Sequence, residues 1–112
     1  MNFKIKSRIW IESEENVLLG EGRVHLLKAI NKTGSLSKAA KSINLSYKKA
    51  WKLLDSVNKS AKHPVTVNSV GGKGGGGAEL TDYGKSLVKA FDEINKNCWA
   101  FLDTQLEKIE NL

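Results

Sequence analysis

The sequence predicts a mainly α fold carrying a small β wing. Three observations predict it: three segments with helical apolar spacing between residues 21 and 60, two short alternating segments around a glycine tract, and a seven-residue apolar repeat after residue 80. With 112 residues, the chain has the length of one domain with a modest core.

Phe3 to Ile11 reads as a strand. Phe3, Ile5, Ser7, Ile9 and Ile11 alternate with Lys4, Lys6, Arg8 and Trp10, a period of two. Glu12 to Asn16 is polar and turn-like. Val17 to Leu19 is a second short strand or a bridge into the first helix. Glu21 to Lys32 reads as that helix, with Val24, Leu27, Ala29 and Ile30 near helical spacing and Gly34 where it stops. Ser35 is placed to cap the next helix, whose buried stripe is Leu36, Ala39, Ala40 and Ile43. Asn44 breaks it, because asparagine tolerates the left-handed backbone that tight turns need. Ser46 caps a third helix running to about Ser60. Its apolar face is Ala50, Trp51, Leu53, Leu54 and Val57. Trp51, beside Ala50, is expected in the core.

His63 and Pro64 end the helical run, since proline has no amide to donate. Val65, Val67 and Val70 alternate with polar residues, and Ala78 to Leu80 supplies the returning strand. Between them, Gly71 to Gly77 holds six of the ten glycines of the chain. A phosphate-binding loop needs a Ser or Thr after its lysine, and Lys73 is followed by Gly74. A flexible linker would leave the two flanking strands without partners. The tip of a wing is the better reading, with glycine backbone able to approach closely and Lys73 adding a charge.

From Thr81 a long helix runs towards Ile109. Leu80, Leu87, Ile94 and Phe101 fall seven apart, and Tyr83, Phe91, Cys98, Leu102, Leu106 and Ile109 widen the stripe. A three-helix core cannot cover a stripe this wide, which predicts a homodimer with Leu87, Phe91, Ile94, Cys98, Phe101 and Leu102 at the two-fold contact; the alternative is that the helix folds back on its own core. The order of elements is a winged helix-turn-helix with an N-terminal strand and a long C-terminal dimerisation helix. It forms one domain over residues 1–112, with the helix-turn-helix at 35–54, the wing at 65–80 and the dimerisation helix at 81–110.

Charge points to a partner. The chain carries a net charge of +6. From Lys32 to Lys73 there are nine lysines and one acid, Asp55, a net of +8. From Asp82 to Leu112 there are six acids and four lysines, a net of −2. A lysine cluster this lopsided favours an anionic partner, nucleic acid first and an anionic membrane second. Within Ser35–Leu54, Ala40 is the small residue where two helices touch, and Ile43, Leu45, Ala50 and Leu53 pack behind it. That geometry puts the first residues of the second helix at the base edges of a major groove. The residues expected on double-stranded DNA are Ser35 and Ser37, then Ser46, Tyr47, Lys48, Lys49 and Lys52 on the recognition helix, and Gly72, Lys73 and Gly74 at the wing tip. Tyr47 suits either DNA contact or covering of the core. Lysine lacks the planar fork of arginine, so phosphates are expected to supply much of the affinity.

No enzyme is indicated, and no catalytic residue, metal ligand or cofactor is assigned. His25 and His63 have no cysteine or acid at metal-ligand spacing, and no G-x-S-x-G nucleophile motif occurs. Cys98 is the only cysteine, which fits a reducing compartment. No apolar run approaches the ~18 residues of a membrane span, and the N-terminus lacks a signal-peptide apolar region. A cytoplasmic protein is expected, with no membrane partner.

Three stretches then resemble a known family: LLKAINKTGSLSKAAKSINLSYKKAW (Leu26–Trp51), GGKGGGGAELTDYG (Gly71–Gly84) and the helix after them. They are similar to the N-terminal DNA-binding domain of the ModE-type molybdate-responsive transcriptional regulators, and more distantly to the LysR-type helix-turn-helix. The resemblance covers nearly the whole chain. It implies bacterial or archaeal gene regulation by a winged helix-turn-helix with a dimerising helix. It places Ser46, Tyr47 and Lys48 in the recognition helix, and Gly71 to Gly77 with Lys73 in the wing. Two departures stand out. Such regulators carry C-terminal molybdate-binding modules and this chain ends at Leu112, so molybdate sensing is not implied. The strand before the wing often carries an arginine in these families, where this sequence has Asn68. Two alternatives remain: a winged-helix module for protein or RNA, and an oxyanion-responsive sensor.

Overall fold

The computed structural model describes residues 2–14, 16–69 and 77–112. The elements in order are β1 (Ile11–Glu12), β2 (Val17–Leu19), α1 (Glu21–Thr33), α2 (Leu36–Ser42), α3 (Tyr47–Ser60), β3 (Thr66–Ser69), β4 (Gly77–Leu80), α4 (Asp82–Gln105) and α5 (Glu107–Glu110). The architecture is a mainly α winged helix with a small β wing. Val70, Gly71, Gly72, Lys73, Gly74, Gly75 and Gly76, and with them the expected wing-tip contacts, lie outside the described residues.

The three-helix core forms because each helix offers one apolar face to the same centre. Leu26, Leu27 and Ile30 of α1, Ala39 and Ala40 of α2, and Ala50 and Val57 of α3 are buried together. Leu19, Val65, Ala78, Leu80 and Phe91 close the cluster from the strands and α4. Burying each large aliphatic side chain is worth about 1.5–3 kcal/mol against leaving it in water. α1 ends at Gly34, whose φ of 74° is left-handed and whose amide returns to the Ile30 carbonyl.

The wing is an antiparallel pair with Thr66 opposite Leu80 and Ser69 opposite Gly77. It is fastened at its base. The Ala78 amide donates to the Gly34 carbonyl at 2.9 Å, so β4 is held by the α1–α2 turn. Asn58 holds β3 from the other side: its Oδ1 accepts from the Val65 amide at 2.8 Å, and its Nδ2 donates to Thr66 Oγ1 at 3.3 Å. Thr81 caps α4, its Oγ1 accepting from the Gly84 amide and donating to the Pro64 carbonyl.

Two expected elements differ. The ladder predicted from Phe3 is limited to Ile11–Glu12, paired with Val17–Leu19. The partner strand is three residues long, and the Ser13 amide donates to the Asn16 carbonyl just before it, so residues 3–10 have nothing to pair with along this hairpin. The period of two survives in the packing: Ile5, Ser7 and Ile9 are half-buried while Lys4, Lys6, Arg8 and Trp10 are exposed. Ser7 Oγ lies 3.7 Å from Cys98 Sγ, which brings the segment alongside α4. The long C-terminal helix is also divided. It stops at Gln105, and α5 follows Leu106 as a separate turn.

Candidate nucleic-acid interface

The α2–α3 unit is set by its turn. Asn44 adopts φ 57°, its amide donates to the Lys41 carbonyl, and the Leu45 amide donates to the Ala40 carbonyl at 2.9 Å. This is a Schellman ending with asparagine in the left-handed position usually taken by glycine. It satisfies the free carbonyls of α2 and turns the chain into α3. Ala40 and Ala50 are both buried, and side chains this small let α2 and α3 pack closely.

Serine caps open both helices. Ser35 Oγ accepts from the Lys38 amide at 3.2 Å, and Ser46 Oγ accepts from the Lys49 amide at 3.1 Å. Beyond the Ser46 cap, Tyr47, Lys48, Lys49 and Lys52 are all exposed, as are Ser37 and Ser46 themselves, while Ser35 is half-buried. Among the described residues no carboxylate lies within ion-pair distance of Lys48, Lys49 or Lys52. The single acid of α3, Asp55, sits toward the opposite end and pairs with Lys59 at 2.9 Å. The first half of α3 therefore presents free positive charge together with a helix N-terminus, an arrangement suited to phosphate.

Trp51 corrects the expectation of a core tryptophan. It is 50% exposed. The inward direction of α3 is fixed by Ala50 and Val57, seven residues apart and both buried, and Trp51 is turned about 100° from Ala50. Its neighbours one turn away are Tyr47, Lys48, Leu54 and Asp55, so it stands at the border of the buried row rather than within it. That phase was the signal available in the sequence. Tyr47, 57% exposed, stands with Trp51 on one edge of the helix. The two aromatics wall a groove that runs from Ser35 and Ser37 at the start of α2 to Thr66 and Asn68 on the wing. Thr66, Asn68 and Trp51 were not among the expected contacts; Trp51 lines the groove from α3 itself, and Thr66 and Asn68 line it from β3, which Asn58 ties to α3.

The residues expected at a two-fold contact divide into two groups. Leu87 packs on the core and Phe91, 2% exposed, belongs to it. They are taken up by this chain's own core because the first turns of α4 lie against α1 and β4. Further along, Ile94 and Phe101 are 49% and 61% exposed. Cys98 is half-buried beside Ser7, and Leu102 is half-buried.

No family model matches the sequence. Individual relatives do. The chain is 35% identical over 106 residues, 95% of its length, to the molybdenum transport protein ModE of Azotobacter vinelandii. It is 38% identical over 82 residues, 73% of its length, to the DNA-binding transcriptional dual regulator ModE of Escherichia coli K12. It is 44% identical over 94 residues, 84% of its length, to the molybdenum-pterin-binding protein MopB of Rhodobacter capsulatus. The matched stretches are 39%, 31% and 34% of those proteins, so the chain spans about a third of the length of the relatives it matches. At these identities over most of its residues, the chain belongs with the ModE-type transcriptional regulators over the stretch that they share.

Proposed function

We propose that the chain is a sequence-specific binder of double-stranded DNA that regulates transcription as a homodimer in the cytoplasm, with no catalytic role. The observation that carries the reading is the exposed, acid-free set of Lys48, Lys49 and Lys52 on the first half of a Ser46-capped helix. In this reading residues 35–54 are the helix-turn-helix, α3 enters the major groove, and the wing at 65–80 rests on the flanking backbone. Ser35 and Ser37 contact phosphates beside the groove, and Gly72, Lys73 and Gly74 do so from the wing. The chain takes the operator-binding task of a ModE-type regulator.

The dimer rests on α4. Within 81–110, the face bearing Ile94, Phe101 and Leu102 carries large apolar side chains that no other described residue fully covers. A second copy supplies the cover by two-fold symmetry. Two recognition helices would then read half-sites about 34 Å apart, one turn of DNA.

The experiment is a binding titration over a range of salt. Lys48→Ala with Lys49→Ala is expected to weaken binding to a duplex selected from a random library by about tenfold or more at moderate salt. The wild-type plot of log affinity against log salt should fall by roughly 0.9 per phosphate neutralised. A flat plot, or an affinity indifferent to both substitutions, refutes the reading. The names of two relatives mention molybdenum, so calorimetry with molybdate belongs in the same series. No heat is expected, because the task assigned to these residues is DNA binding.

A further inference from the structure

We propose that Tyr47 and Trp51 form an apolar reading edge that contacts thymine methyl groups in the major groove. The inference rests on the DNA-binding reading above and deepens it by naming what the recognition helix reads.

The argument starts from an expensive exposure. Trp51 keeps half of its surface in water and Tyr47 more than half, although both stand next to a core that accepts aromatic side chains such as Phe91. Being four apart on a helix, they share one edge and occupy its first two turns, the part of a recognition helix that reaches base edges. Lys48 and Lys52 flank them as a second pair four apart, and together the four side chains line one shallow surface depression. An apolar edge bordered by unpaired cations fits a partner that is densely anionic and locally apolar at the same place. The backbone of duplex DNA supplies the anions. Among the base-edge groups of its major groove, the apolar one is the C5 methyl of thymine.

Uracil pairs as thymine does and lacks only that methyl group, so the test needs no change to the protein. The probe is the duplex that wild-type protein selects from a random library, compared with the same duplex carrying uracil for every thymine. Wild type is expected to bind the uracil duplex about fourfold more weakly for each methyl group in contact, the worth of one buried methylene. Trp51→Ala should bind the thymine duplex more weakly than wild type does, and should lose most of the sensitivity to uracil. Tyr47→Ala should lose part of it. Circular dichroism and thermal unfolding of each variant show whether the fold is kept.

The proposal is overturned if wild type is blind to the exchange, or if Trp51→Ala retains the full uracil penalty. Blindness combined with a weaker Trp51→Ala would assign the indole to deoxyribose. Each of those outcomes leaves DNA binding itself intact. Failure to bind any duplex would remove the underlying reading and this inference with it.

Discussion

Replacing Gly84 by alanine sets two effects of opposite sign against each other. In an ordinary helix alanine is favoured over glycine by about 1 kcal/mol. Gly84, however, is buried in the first turn of α4. A Cβ there would meet the Val65 carbonyl oxygen at less than contact distance and Val65 Cγ1 at 3.0 Å. The obstacle cannot easily move. The Val65 amide is held by Asn58, its carbonyl accepts from the Thr81 amide at 3.0 Å, and its side chain is fully buried. Overpacking of this kind costs about 1–3 kcal/mol, and losing the Thr81–Val65 bond adds about 1 kcal/mol. The clash wins, and Gly84→Ala should destabilise by about 1–3 kcal/mol. At roughly 4–8 °C per kcal/mol for a domain near this size, thermal unfolding at fixed protein concentration resolves the change. Gly22→Ala is the matched control: a Cβ there meets nothing within 4 Å, and stability should be unchanged or higher by up to about 1 kcal/mol. A Tm for Gly84→Ala equal to or above wild type would refute the close-approach argument.

Other perturbations separate the parts of the molecule. Phe91→Ala should cost about 3–5 kcal/mol, measured by denaturant unfolding, because the ring lies in the chain's own core. Phe101→Glu, on the face proposed for the two-fold contact, should instead shift sedimentation towards monomer while leaving the helical circular dichroism largely unchanged. Ser46→Ala removes the α3 cap and should cost about 1 kcal/mol in the same unfolding assay. Asn44→Gly should be neutral or stabilising, since glycine takes the left-handed conformation without strain, and Asn44→Val should lower Tm by several degrees.

The features legible in the sequence were those set by local chemistry. Gly34, Asn44, Ser35 and Ser46 mark helix ends because their backbones or hydroxyls do what neighbouring residues cannot, and the structure uses each of them so. What stayed illegible depended on distant partners. The alternation from Ile5 to Ile11 reports one covered face, while Phe3 stays exposed, and the cover is partly α4 rather than a neighbouring strand. The seven-residue repeat of α4 is continuous in composition, yet its first part fills a core and its later part does not. Periodicity alone cannot divide a stripe between two uses. Trp51 lies outside the core because helical phase outweighs hydrophobicity: one step from Ala50 along the chain is a wide swing around the axis.

Gly34 carries a consequence of its own. One residue ends α1, opens the turn into α2 and lends its carbonyl to the wing, while Asn58 makes the matching tie from α3. α3 and the base of the flanking hairpin are thus tied to a common frame. In the proposed complex the frame acts as a caliper. Duplexes whose groove width or bend does not match must deform to fit, and deformation costs energy that depends on base sequence. Selectivity would therefore extend to base pairs that no side chain touches.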